Sequence, residues 1–346
     1  MNGAASFQSR FFEHRLWRSL VSPRTSKLLR VAVSLGLLVL VLSFADWEQV
    51  WHVLRKVEVK WIVAAFALAA LDRLAINLRW QILLTARGVH VGFWKLFRVQ
   101  LAANFLGSFL PSSVGVDAVR IAALCRSGEP APAVIAATLV DRISLALTTL
   151  LLGAVMMLLF AHSFIPPTVT RIVFAATLLV LAAGAFCLWK PVRTWVRLTL
   201  LPKVPVRFRQ TLHDVADASL TYSKEYRAMG YLTLATAFTF LVRIYFAQTL
   251  AFAVGLDLSI LKLLMVIPIL WIIVMLPITI GGIGVQDAGY VALMAFLGVP
   301  AALAVSMSLI EHVVTRLASL PGVLFIGDVT TKVRKDSDED TVVVRP

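Results

Sequence analysis

Leu110-Pro111-Ser112-Ser113-Val114-Gly115-Val116-Asp117-Ala118 interrupts an apolar stretch at 96–126, and Leu276-Pro277-Ile278-Thr279-Ile280-Gly281-Gly282-Ile283-Gly284-Val285-Gln286-Asp287-Ala288 interrupts another at 260–299. Proline removes a backbone donor and glycine loosens a helix, so each stretch reads as two half-helices meeting at a turn. Both interruptions carry Leu-Pro, a hydroxyl, a glycine and an Asp-Ala pair, which reads as an internal repeat. Paired broken helices in corresponding halves of a membrane chain point to a transporter binding site near the bilayer midplane. The competing reading is a chance match between two of the Pro and Gly breaks that membrane helices tolerate.

Outward from the breaks, composition puts the rest of the chain in a membrane. Of 346 residues 59% are hydrophobic and 15% charged, with mean hydropathy +0.85. A soluble domain carries about 25% charged residues, so a soluble reading is excluded. Full spans read at 28–45, 61–84, 133–161, 169–189, 229–254 and 301–328. The fold class is therefore all-α: a polytopic membrane protein with six full spans and two re-entrant broken hairpins in inverted halves. Residues 1–27 form a basic cytoplasmic segment, 28–328 a single transmembrane domain, and 329–346 a disordered tail.

The net charge of +14 follows from topology rather than from nucleic acid. If both broken stretches turn back, residues 1–30, 85–98, 190–229 and 329–346 share one side. The 190–229 loop carries Lys190, Arg193, Arg197, Lys203, Arg207, Arg209, Lys224 and Arg227 against three acids, whereas 46–60 on the other side is balanced. Basic loops stay inside, so both termini are assigned to the cytoplasm of an inner-membrane protein. With three full spans between them, the two hairpins then enter from opposite faces. Tryptophans follow the same frame: Trp47, Trp51 and Trp61 at the outer boundary, Trp80, Trp94, Trp189 and Trp195 at the inner one, with Trp271 apart inside a broken stretch.

Smaller features follow. Cys125 and Cys187 are far apart and read as free thiols. The basic lead-in before Val31 marks the first span as an uncleaved anchor rather than a signal peptide. Within 203–227, Leu212, Val215, Ala216 and Leu220 share a helical face, which reads either as an interfacial helix or as a plain connector.

Charges inside spans are costly and call for a role. Asp72, Arg73, Asn77 and Arg79 lie in the second span, Asp141 and Arg142 in the third, Arg243 mid-span, and Glu311, His312 and Arg316 in the last. Two readings stand side by side: structural ion pairs locking helices, or a lipid-headgroup site. Arginines outnumber acids here, and arginine binds phosphate in a bidentate fashion, so Arg120, Arg142 and Arg243 are the candidate headgroup ligands. The half-helices after Gly115 and Gly284 present free N–H groups, with Gly282 in the same turn, and Ser112, Ser113 and Thr279 add hydroxyls. Asp117, Asp141, Asp287 and Asp72 are candidate supporting or proton-linked acids; Arg73, Arg79, Glu311, His312 and Arg316 complete the set of intramembrane charges.

These residues carry a resemblance to a family. Arg79-Trp80, the run from Phe109 to Arg120, Leu139-Val140-Asp141-Arg142-Ile143-Ser144-Leu145, the run from Leu276 to Ala288, Gly298-Val299 and Pro321-Gly322 together resemble the lysylphosphatidylglycerol synthase transmembrane-region family, the flippase-like membrane proteins, over roughly 28–328. Two positions depart from it: Gly115-Val116-Asp117 stands where the family has Gly-Gly-Asp, and Gln286 where it has an acid such as Glu. The resemblance implies movement of a lipid between leaflets; in the best-understood members the lipid is an aminoacylated phospholipid and a separate C-terminal domain makes it. About eighteen residues follow the last span, so synthase activity is not expected of this sequence. The implied partner is a membrane lipid: an anionic phospholipid, a polyprenyl-phosphate or a hopanoid-type lipid.

No catalytic motif, metal-ligand spacing, Walker loop or dinucleotide fingerprint stands out, so no enzyme activity, metal or cofactor is expected. Asp214 and Asp217 on an amphipathic segment are a weak echo of a metal-diphosphate motif. The leading function is a flippase-like transporter. The alternative is a non-transporting accessory subunit presenting lipid to a glycosyl- or aminoacyl-transferase.

Overall fold

A computed structural model of the protein describes residues 47–107, 114–160, 168, 171, 174–175, 177–178, 182, 214–219, 221–275 and 283–330. The expected first span, most of 169–189, the Pro-Gly interruptions at 108–113 and 276–282, most of the basic loop, Cys187 and the tail lie outside these residues. Every regular element among the described residues is helical.

A short helix α1 (Trp47–Arg55) precedes α2 (Val59–Ala86), whose 28 residues extend about 42 Å and exceed the hydrocarbon thickness of about 30 Å. Next come α3 (Phe93–Gly107) and α4 (Val114–Arg126), then the long α5 (Ala131–Phe160). The second half runs through α6 (Tyr226–Ala253), α7 (Ile260–Met275), α8 (Val285–Ala295) and α9 (Ala301–Leu317). Ala131–Met156, Tyr226–Ala253 and Ala301–Phe325 are each long and apolar enough to cross a membrane. Helix α2 has the length but carries Asp72, Arg73 and Arg79.

The last expected span, 301–328, differs in form. Its α-helix stops at Leu317, 3₁₀ turns occupy Leu320–Phe325, and a short α10 (Ile326–Thr330) follows. Pro321 disfavours helical backbone at the residue before it. Gly322 then presses on α3: a Cβ there would stand 2.1 Å from the Leu101 carbonyl oxygen, so only glycine lets the two backbones meet.

Small residues bring the long helices together. The most extensive pairing is α2 on α6, where Ala65 and Ala69 share a core with Ala247 and Ala251. In lipid, where hydrophobic burial gives helices little reason to associate, such close approach supplies packing energy. That core collects α6, α7, α8 and α9; a second one joins Trp80, Leu83 and Leu84 of α2 to α3, α4 and the start of α5. Each core is thus built on one broken stretch. Along α2 the charged run at 72–79 lies between the two.

The segment within 203–227 docks on protein. Val215, Ala218 and Tyr222 are buried, and the Tyr222 hydroxyl donates to the Leu83 carbonyl oxygen at 2.7 Å. Ala216, expected on the apolar face, is exposed, because the buried face runs through residues 215, 218 and 222 instead. Trp80, expected in the inner aromatic belt, is fully buried and donates from Nε1 to Thr138 Oγ1 at 3.3 Å. Trp94 is 68% exposed and packs edge-on against Phe93 and Phe97, as a belt residue does.

Candidate functional site

Between the two cores lies a cavity of about 270 Å³. Its wall takes Asp72, Arg73 and Arg79 from α2, Gln100 from α3, Asp117 and Arg120 from α4, and Asp141 and Arg142 from α5. Arg243 comes from α6, Trp271 from α7, Gln286 from α8, and Glu311 and Thr315 from α9. Both broken stretches therefore reach one chamber. Asp72 is thirteen residues from the start of α2 and fourteen from its end, so the chamber lies midway along the long helices.

Three acids hold four of the arginines. Asp141 takes Arg79 at 2.6 Å, and Arg79 Nη2 also donates to the Asp141 main-chain oxygen at 3.0 Å. Asp117 takes Arg142 Nε at 2.6 Å and Arg120 Nη2 at 3.0 Å. Asp72 takes Arg243 Nε at 2.8 Å. Two guanidiniums also lie over indole faces, Arg120 on Trp80 at 4.5 Å and Arg243 on Trp271 at 4.0 Å, an orientation that holds a planar cation in place. Arg120 Nη1 donates to Gln100 Oε1 at 2.7 Å.

Donor capacity is left over. Nε of Arg73, Nε and Nη1 of Arg79, and Nε of Arg120 are buried without a hydrogen-bond partner. Arg73 spends Nη2 on the Thr315 carbonyl oxygen at 3.5 Å and Ser319 Oγ at 3.3 Å, with no carboxylate in ion-pair reach among the described residues. Buried guanidinium nitrogens without acceptors are costly, so a ligand bringing several acceptor oxygens suits the chamber.

Helices α8 and α9 carry their own network. Gly284, at φ 84, starts α8, and its N–H is taken by Asp287 Oδ2 at 2.8 Å. Asp287 also accepts from Ser308 Oγ at 2.6 Å and lies 3.2 Å from His312 Nε2. Tyr290 donates its hydroxyl to Glu311 Oε2. The α8 N-terminus is thus capped from within.

The family model for the lysylphosphatidylglycerol synthase TM region matches residues 27–322. The chain belongs to this family. It is a multi-pass membrane protein of a lipid-related, membrane-associated family. No curated protein matches the chain.

Within this lysylphosphatidylglycerol synthase TM region, the structure brings Asp72, Arg73, Arg79, Asp117, Arg120, Asp141, Arg142, Arg243 and Glu311 onto one chamber. Asp287 and His312 are buried beside it, and Arg316 is exposed on α9. Gly115 lies in the first turn of α4, which begins at Val114. Ser112, Ser113, Thr279 and Gly282 lie outside the described residues. Gln286 lines the chamber. Sequence reading missed Trp80, Gln100, Trp271, Tyr290, Ser308 and Thr315. Trp271 carried a signal, being the tryptophan that fitted neither belt; the others look like ordinary span residues until helix packing selects them.

Proposed function

We propose that this protein binds the phosphate of an anionic phospholipid or lipid-linked headgroup in the central chamber and passes it between leaflets. One observation carries the reading: Arg73, Arg79 and Arg120 line a cavity, and each keeps at least one buried guanidinium nitrogen without an acceptor among the described residues. A phosphate supplies the missing oxygens, each charge-assisted bond contributing about 1.5–3 kcal/mol. Ligand pockets run from about 300 to 1,000 Å³, so 270 Å³ suits a headgroup whose acyl or prenyl tails stay in the bilayer.

The proposed topology has six full spans and two re-entrant hairpins in inverted halves, with both termini cytoplasmic in the inner membrane. One helix length favours it: α8, bounded by Gly284 and Phe296, holds 11 residues. At about 1.5 Å per residue it does not cross about 30 Å alone. Helices α3 and α4 pack on each other, as do α7 and α8, and both pairs reach the chamber. A site held between two such halves can open to either side by rocking one against the other. On this reading the chain transports without catalysing a reaction, and a gradient or downstream consumption of the lipid drives it.

Leaflet exchange tests it. Protein reconstituted in phosphatidylethanolamine vesicles carrying a fluorescent phosphatidylglycerol should expose inner-leaflet probe to an added quencher faster than empty vesicles do. Arg120→Gln should slow exchange roughly tenfold to a hundredfold, the loss of one charged hydrogen bond. Folded protein that moves no anionic probe refutes transport; headgroup binding without exchange turns the assignment to an accessory subunit.

A further inference from the structure

Three of the chamber's acids hold four of its arginines, Asp117 being shared by two, and two charges stand outside these ion pairs. Asp72, Asp117 and Asp141 each hold an arginine at 2.6–3.0 Å, which accounts for Arg243, Arg120, Arg142 and Arg79. Arg73 on α2 and Glu311 on α9 form no ion pair within 4 Å among the described residues, and both line the same cavity. Resting on the headgroup reading above, we propose that Glu311 is a proton-binding site and that the chamber takes up an anionic headgroup and a proton together.

Glu311 is 6% exposed. Tyr290, itself 1% exposed, donates to Oε2 and holds the carboxyl in one orientation, and no hydrogen bond to Oε1 is formed among the described residues. The surroundings are named easily. From α8 come Tyr290 and Asp287; from α6 Arg243, already held by Asp72; from α2 Arg73 and Asp72; on α9 itself His312 neighbours it. Helix α1 meets α9 through Val50 and Leu54, which are apolar. His312 turns to Asp287 and does not line the cavity.

A phosphate seated by Arg73 brings a second negative charge into this low-dielectric space beside the carboxylate. The phosphate and the carboxylate repel across this space, so a seated headgroup favours a proton on Glu311 Oε1, which relieves the repulsion without moving a helix. The balance is simple: one solvent proton adds to the carboxylate as the headgroup binds and returns to solvent when it leaves. A headgroup with one negative charge then crosses with no net charge, so the membrane potential does not oppose it.

Calorimetry on the purified full chain tests this, with short-chain dihexanoyl phosphatidylglycerol as probe, in two buffers of different ionisation enthalpy. The expected result is about one proton taken up per probe bound, and an affinity that falls up to tenfold per pH unit once the unliganded carboxyl has titrated. Glu311→Gln should bind with no proton uptake and a flat pH dependence. Tyr290→Phe, which keeps ring and acid, should shift the midpoint of that dependence. Wild-type binding without uptake, uptake that survives in Glu311→Gln, or an unmoved midpoint in Tyr290→Phe overturns the proton site and leaves the headgroup reading standing. Absence of probe binding at every pH overturns both.

Discussion

Replacing Asp141 by Asn tests whether the buried pairs are structural, functional or both. Arg79 is fully buried, its Nε and Nη1 have no acceptor, and its carboxylate contact is Asp141 at 2.6 Å. Asparagine keeps the shape and removes the charge. With an effective dielectric of about 20, the attraction across 2.6 Å is about 6 kcal/mol before desolvation is counted. Breaking a buried pair from one side costs about 3–5 kcal/mol, a large share of a total stability of about 5–15 kcal/mol. Hydrogen bonds between membrane helices average about 0.6 kcal/mol, so a loss of about 3 or more identifies a stranded charge rather than a lost hydrogen bond. Thermal and denaturant unfolding in mild detergent reads the loss. The double variant Arg79→Met with Asp141→Leu should regain most of it, because neither charge is then stranded, yet exchange headgroup at least roughly tenfold more slowly, because Arg79 faces the chamber. An Asp141→Asn protein within about 1 kcal/mol of wild type refutes the energetic argument; a double variant that transports at the wild-type rate refutes the functional one.

Gly322→Ala places a methyl 2.1 Å from the Leu101 carbonyl oxygen, a backbone atom that cannot rotate away, so α3 and the 3₁₀ turns must separate. The expected cost is about 1–3 kcal/mol, read as a lower unfolding midpoint. Arg73→Gln strands no carboxylate, so stability should change little while the affinity for dihexanoyl phosphatidylglycerol falls roughly tenfold to a hundredfold by calorimetry. Arg316→Gln alters an exposed side chain outside the chamber and should leave leaflet exchange unchanged.

Much of the architecture was legible in one dimension because it depends on short-range chemistry. A run of apolar residues longer than the hydrocarbon is thick must span or stay buried, which located α2, α5 and α6 to within a few residues. Proline and glycine act within a turn of where they stand, and α8 does begin at Val285 behind Gly284, while most of both Pro-Gly interruptions, 108–113 and 276–282, lies outside the described residues. Pro321 was equally visible and was read through as one continuous span, because the close approach of Gly322 to Leu101 lies in the packing and not in the local sequence.

The site divides the same way. Residue type and depth marked the intramembrane charges, since a bilayer tolerates so few that each stands out. Who meets whom was not written there. Arg79 and Asp141 are 62 positions apart, Arg243 and Asp72 171, and partners at such separations are set by which helices pack together. Sequence alone determined that this is an all-helical membrane protein with a surplus of arginine in its apolar stretches. Tertiary structure decided that three acids would hold four of those arginines and that Arg73 and Glu311 would be left facing one chamber, because pairing in a low dielectric depends on distances of a few ångströms that only packed helices define.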